Sequence, residues 1–249
     1  MAVISVVSAK HAPGATTLAV LLASAADPFT LPLVLEADPS GGDLAPRVGT
    51  LFDPGMLSLV SRARIERSGE GAGPGLVEQH CRPLSIAVGV VVGSLNPKHV
   101  ESYVHDAPTL LGPLLQERSS LSIVDCGRWG PESTRAWAVA SNLVLVAMRP
   151  TVESAEHVAV RLPDIETAAM VRPVVIGSGP LRAADVADII ERTVSWIPHD
   201  PATARAVCAS SIGPEDLRAT QLWLAAESVL ADLVAVMAAG DTATPPRRG

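Results

Sequence analysis

The sequence predicts a single α/β domain over residues 1–239, built on a mostly parallel sheet of seven or eight strands with helices on both faces. Three observations predict it. Short Val/Leu/Ile runs alternate with longer Ala-rich helical stretches along the whole chain, the pattern of βαβ units with right-handed crossovers. Runs such as Leu143–Ala147 are apolar without interruption, as expected of strands covered on both faces. The 249-residue chain is 48% hydrophobic but only 3% aromatic, with a mean hydropathy of +0.32. A sizeable core is therefore built from Val, Leu, Ile and Ala.

In chain order, Val3–Val7 reads as a strand and Ala15–Ala26 as a helix of small and aliphatic residues. Further strands are expected at 33–36, 84–88, 121–125, 142–148, 171–176 and 194–197. Helices are expected at 55–65, 97–117, 131–140, 151–168, 182–192 and 215–238. Pro163 is expected to kink or split the helix that contains it. Ser68–Gly75 has the composition of a flexible loop, and Gly240–Gly249 that of a disordered tail. No internal repeat or domain linker is evident.

Charge and cysteine usage narrow the function classes. Nineteen Lys and Arg against 26 Asp and Glu give a net charge of −7, which disfavours sequence-independent DNA binding. Arg62, Arg64 and Arg67, and the pair Arg247–Arg248, read as solvated surface. Cys81, Cys126 and Cys208 have no CxxC spacing, and Cys126 reads as a buried small hydrophobe. This usage fits a reducing, cytoplasmic compartment. The start, MAVISVVSAK, lacks the basic region of a signal peptide, and no apolar run is expected to approach the roughly 20 residues of a membrane span. There is no G-x-S-x-G elbow, and the histidines show no triad logic.

The segment Lys10–Thr17 follows the first strand and opens the first helix. That junction is the natural anion site of an α/β sheet, because helix N–H groups and the helix dipole face the ligand there. Gly14 lets backbone approach a phosphate closely, and Thr16 stands where a hydroxyl reaches a bound Mg²⁺. Thr17 suits a helix-face or capping position. His11, inside the turn, reads as a bland replacement more than as a phosphate donor. Downstream, Glu36-Ala37-Asp38-Pro39-Ser40-Gly41-Gly42-Asp43-Leu44 ends the second strand. Its carboxylates suit chemistry beside phosphate and Mg²⁺, while an Asx-Pro turn with Asp43 as helix cap explains the Pro and Gly residues equally well. Leu121–Gly127 (LSIVDCG) places Asp125 at a strand tip, where it can hold Mg²⁺ through a water.

Together these segments resemble the MinD/ParA superfamily of P-loop NTPases with a deviant Walker A box, K-G-G-x-G-K-[ST]-[ST]. The resemblance covers roughly residues 1–237. It implies ATP or ADP with Mg²⁺ as cofactor, and a homodimer in which Lys10 reaches the partner's phosphates. It also implies that Pro13, Gly14, Ala15, Thr16 and Thr17 line the phosphates, that Asp38 orients the attacking water, and that Thr16, Asp38 and Asp125 serve the metal. Ile197-Pro198-His199-Asp200 resembles the family's I-P-x-D segment near the base, which brings in Pro198. His11 and Ala12 replace the two glycines, Glu36 replaces the first aspartate of D-x-D, and Ala15 replaces the P-loop lysine. Losing such a transition-state contact costs on the order of 10²–10³ in rate.

The motif is closest to the CpaE/TadZ branch of pilus-assembly localisation factors. The first functional expectation is thus a positioning protein with a degenerate nucleotide site and weak or no ATPase, recruiting a protein partner of a pilus, secretion or cell-pole system, and meeting membrane only through that partner. The second is an active ParA/MinD-type ATPase of partitioning or division-site placement, supported by Lys10, Thr16, Asp38 and Asp125. A small-molecule kinase or ligase of related fold ranks last, because no substrate signature accompanies it.

Overall fold

The computed structural model describes residues 2–10, 14–27, 30–67 and 75–242, with side chains to 238. His11, Ala12, Pro13, residues 68–74 of the expected loop and residues 243–249 of the expected tail lie outside the described residues.

The elements run β1 (Val3–Ser8), α1 (Ala15–Ala25), β2 (Leu33–Glu36), α2 (Leu44–Val48), α3 (Met56–Arg67), α4 (Leu76–Gln79), β3 (Arg82–Pro83) and β4 (Gly89–Val91). They continue as α5 (Pro97–Val104), α6 (Ala107–Glu117), β5 (Ser122–Arg128), α7 (Glu132–Val139), β6 (Leu143–Met148) and α8 (Val152–Glu166). The last are β7 (Met170–Ile176), α9 (Ala183–Ile190), β8 (Ser195–Ile197), α10 (Pro201–Cys208), α11 (Pro214–Arg218) and α12 (Gln221–Thr242). One eight-stranded sheet has the order β3-β4-β2-β5-β1-β6-β7-β8. Every pair in it is parallel except β3–β4.

Alternation along the strands sorts the core into two layers. Val3 and Val7 of β1, with Val144, Val146 and Met148 of β6, pack beneath α3 and α5 to α9. Ile4 and Val6, with Leu143 and Leu145, face α1 and α10 to α12. All six residues of β1 are buried. Burial on both faces makes such strands read as near-continuous apolar runs, and the two serines of β1, Ser5 and Ser8, are buried with their hydroxyls hydrogen bonded.

Three expected elements differ. Residues 84–88 are the turn of a hairpin, not a strand: Leu84 N–H donates to the Val88 carbonyl (2.8 Å) and Ala87 takes φ +59°. Leu84, Ile86 and Val88 are all buried, so the alternation reported burial without strand pairing. The expected helix 97–117 is two helices, because Pro108 has no N–H for the Val104 carbonyl four residues back. The expected helix 215–238 is likewise two, and the Thr220 hydroxyl accepts the N–H of Trp223 where α12 begins (3.2 Å). By contrast α8 runs unbroken through Pro163.

Contrary to expectation, one segment, Gln221–Ala238 in α12, is long and apolar enough to cross a membrane by length and composition alone. Its Leu222, Ala226, Val229, Leu230 and Leu233 are packed into the second core layer. Of the arginine cluster on α3, Arg62 and Arg67 are exposed and Arg64 is partly buried. Arg62 pairs with Glu66 and Arg64 with Asp106 (both 2.7 Å). Cys126 is buried and its Sγ donates to the Ser5 hydroxyl (3.6 Å), and burial pushes its thiol well up.

Candidate functional site

β1 lies between β5 and β6, where the direction of strand addition reverses, and the crevice outside the carboxyl ends of these strands is where α/β sheets take ligands. Gly14 sits there at φ +91°, a left-handed conformation that opens α1. Its carbonyl accepts the N–H of Leu18 (2.8 Å). Ala15 is the first residue of α1 and is only 2% exposed, so the turn carries a buried methyl where a lysine was missed in the sequence. Lys10 is exposed at the end of β1. The Glu153 carboxyl is held below the ordinary glutamate range by its own backbone N–H and the Thr151 hydroxyl, with the charge of Lys10 adding to them.

Two neighbouring strands, β2 and β5, bring the carboxylates together. Their register sets Glu36 opposite Asp125. Asp125 is buried and hydrogen bonded to Thr16 and to the N–H of Gly127 (3.3 Å). Burial, aided by the charges of Asp38 and Asp43, lifts it to about 6 from its ordinary 3.8. Asp38 Oδ1 accepts the N–H of Ser40 (2.7 Å), so the Asx turn read in the sequence exists. The same carboxyl lies against Gly127, two residues beyond Asp125. The structure thus gathers Thr16, Asp38 and Asp125 on one side of the turn. A hydroxyl and two carboxylates, mutually repelling and all hard oxygen donors, fit Mg²⁺ that keeps waters or takes phosphate oxygens. Among the described residues no group of three His, Cys, Asp or Glu is arranged to hold a metal alone.

Glu36 has a role that sequence reasoning missed. Its Oε1 accepts the N–H groups of Asp43 (2.7 Å) and Leu44 (2.8 Å), and its Oε2 that of Gly93 (3.0 Å). Glu36 therefore caps α2 and clasps the 37–44 loop to the end of β4. Asp43, expected to be the cap, makes no capping bond and pairs with Arg47 (2.5 Å) instead. The available signal was an acidic residue closing an apolar strand just ahead of Gly-Gly-Asp.

Burial raises Glu36 to about 7 from its ordinary 4.5, against its three N–H partners, with Asp125 adding repulsion. The native state then holds a proton that the unfolded chain has lost between those values. Stability is expected to fall as pH rises from about 4.5 to 7, by up to about 3 kcal/mol from this group, and Asp125 acts in the same direction. Urea denaturation of the wild type and of Glu36→Gln at pH 5 and pH 8 measures this, and the variant is expected to show the shallower fall.

Beyond Gly14 a cavity of about 220 Å³ opens between the ends of β6, β7 and β8. Gly14, Thr17, Arg149, Gly177, Pro198 and His199 are among its lining residues. Thr17 also meets Cys208 Sγ on α10 through its hydroxyl (3.3 Å). Asp200 is committed to the N-terminus of α10, accepting the N–H (3.0 Å) and hydroxyl (2.6 Å) of Thr203. Arg149, Gly177 and His199 were not singled out from the sequence as site residues. They come from three separate strand ends, and only the fold joins them.

No protein-family model matches the sequence, and neither does any curated protein. Solved structures do match in fold. A ParA family ATPase from Chlorobium tepidum TLS superposes with a TM-score of 0.77 at 14% identity, over 93% of this chain and 98% of that one. The cell division ATPase MinD of Pyrococcus furiosus gives 0.75 at 16%, over 94% and 99%. The septum site-determining protein MinD of Pyrococcus horikoshii OT3, complexed with Mg-ADP, gives 0.74 at 14%, over 95% and 98%. At these identities the shared property is the fold, a single α/β domain with an eight-stranded, mostly parallel sheet.

Proposed function

We propose that this chain is a MinD/ParA-like positioning protein with a degenerate nucleotide site. It binds ATP or ADP with Mg²⁺ weakly, hydrolyses slowly or not at all, dimerises, and recruits a protein partner of a pilus, secretion or cell-pole system in the cytoplasm. One observation carries the reading: the phosphate turn presents the buried methyl of Ala15 where a cation belongs, while Thr16, Asp38 and Asp125 stand together beside it. Carboxylates and hydroxyl suit the metal, and the turn lacks the charge that stabilises the transferring phosphoryl group. The Mg-ADP complex of a protein with the same fold supports the choice of ligand. In the dimer, Lys10 is the residue that reaches the partner's phosphates. Its exposure at the end of β1 supports that role.

The retained Lys10, Thr16, Asp38 and Asp125 favour a second reading, an active partitioning or division-site ATPase. Binding and hydrolysis of ATP with Mg²⁺ by the wild type, Ala15→Lys and Lys10→Ala decide between them. We expect millimolar-range binding and barely measurable hydrolysis by the wild type, and at least tenfold tighter binding by Ala15→Lys. Wild-type turnover at the rate of an ordinary MinD/ParA ATPase selects the second reading. No nucleotide binding at millimolar ATP removes the nucleotide site from both.

A further inference from the structure

Resting on that reading of the site, we propose that Arg149 is the cation that grips the polyphosphate in place of the residue the turn lacks. A nucleoside di- or triphosphate brings several negative charges into the crevice, and backbone N–H groups and a helix dipole neutralise only part of them. Cations near the crevice include Arg128 at the tip of β5, on the carboxylate side, Arg205 on α10 near Thr17, and Arg149 just beyond β6. Ala15 supplies none. Lys10 is exposed beyond the end of β1, and the proposed dimer directs it at the partner's phosphates. Arg149 is different. It lines the same 220 Å³ cavity as Gly14 and Thr17, its side chain is exposed, and its guanidinium makes no hydrogen bond or ion pair with a described residue.

The backbone under Arg149 is held firmly while its head is free. Its N–H donates to the Ser154 hydroxyl (3.1 Å), and its carbonyl accepts the N–H of Thr151 (2.9 Å). Arg149 thus leaves the tip of β6 from a fixed point beside the turn, where a planar five-donor fork can take two phosphate oxygens at once. Two other polar groups around that cavity serve elsewhere, the Asp200 carboxylate binding Thr203 and the Thr17 hydroxyl meeting Cys208, while His199 and Ser178 line it beside Arg149. Arg149 follows β6 and the carboxylates follow β2 and β5, on opposite sides of β1, so its charge reaches a bound polyphosphate from the side away from Asp38 and Asp125.

Titrations of wild type, Arg149→Ala and Arg149→Lys with ATP, ADP and adenosine test this, since adenosine carries the base and ribose without the charge. Arg149→Ala is expected to weaken ATP at least tenfold, ADP less, and adenosine less than twofold, with Arg149→Lys between. Adding Ala15→Lys to Arg149→Ala is expected to restore ATP binding. In the wild type, raising KCl is expected to weaken ATP much more than adenosine, a readout that needs no variant. Equal loss of ATP and adenosine places Arg149 on the base and overturns the proposal, as does unchanged ATP binding by Arg149→Ala. A wild type that binds neither ATP nor adenosine removes the nucleotide reading itself, a separate failure from an arginine without effect.

Discussion

Glu36→Ala is expected to destabilise the protein by about 3 kcal/mol, lowering its melting temperature by about 10 °C. The reason is the clasp. One carboxylate satisfies three backbone N–H groups, those of Asp43, Leu44 and Gly93, and it is itself buried. Alanine removes all three bonds and leaves a void among groups that water reaches poorly, and orphaned buried donors cost about 1–3 kcal/mol each before relaxation. Glu36→Gln keeps one acceptor oxygen and is expected to lose less than half as much near neutral pH, where ionising the buried wild-type carboxyl is itself unfavourable. Urea denaturation of the three proteins at one pH measures the difference. A loss below 1 kcal/mol for Glu36→Ala rules out the clasp.

Gly127→Ala is the substitution expected to hurt ligand binding most for its size. Gly127 has φ +66°, a conformation that costs an L residue about 1–2 kcal/mol. A Cβ there would also fall inside the Asp38 carboxyl group. The side chain of Asp38 has to leave, and with it one of the two carboxylates on the metal side of the turn. We expect the Mg²⁺-dependent part of ATP binding to fall on the order of tenfold, while binding in EDTA changes little and the fold persists. Calorimetric titration with and without Mg²⁺ measures both. Equal binding in Mg²⁺ by wild type and variant shows that Asp38 plays no part.

The parts of this molecule that are local in the chain were legible in its sequence. β1 and α1 are consecutive elements with Gly14 opening the helix, so an apolar strand, a glycine and a helix in that order point to the anion site proposed here. Asp125 lies near the end of an apolar strand and Asp38 two residues beyond another. Parallel pairing of β2 with β5 sets Glu36 opposite Asp125 and leaves the Asp38 carboxyl against Gly127. What escaped depends on distant segments. Glu36 looked like a departure from a motif, and its three partners lie 7, 8 and 57 residues away. Arg149, Gly177 and His199 share a cavity only because β6, β7 and β8 are neighbours. The 84–88 turn misled for a related reason: tertiary burial imposed on it the alternation of a strand.

The carboxylate of Glu36 has a consequence for how fast and how reversibly the site responds. Because it ties Asp43, Leu44 and Gly93 to the rim of the sheet, the segment carrying Asp38 has given up its conformational entropy during folding, well ahead of any encounter with ligand. Association then immobilises little additional backbone. At the proposed nucleotide site, the segment carrying Asp38 is thus already ordered, and occupancy is expected to follow nucleotide concentration by simple mass action with little lag from that segment.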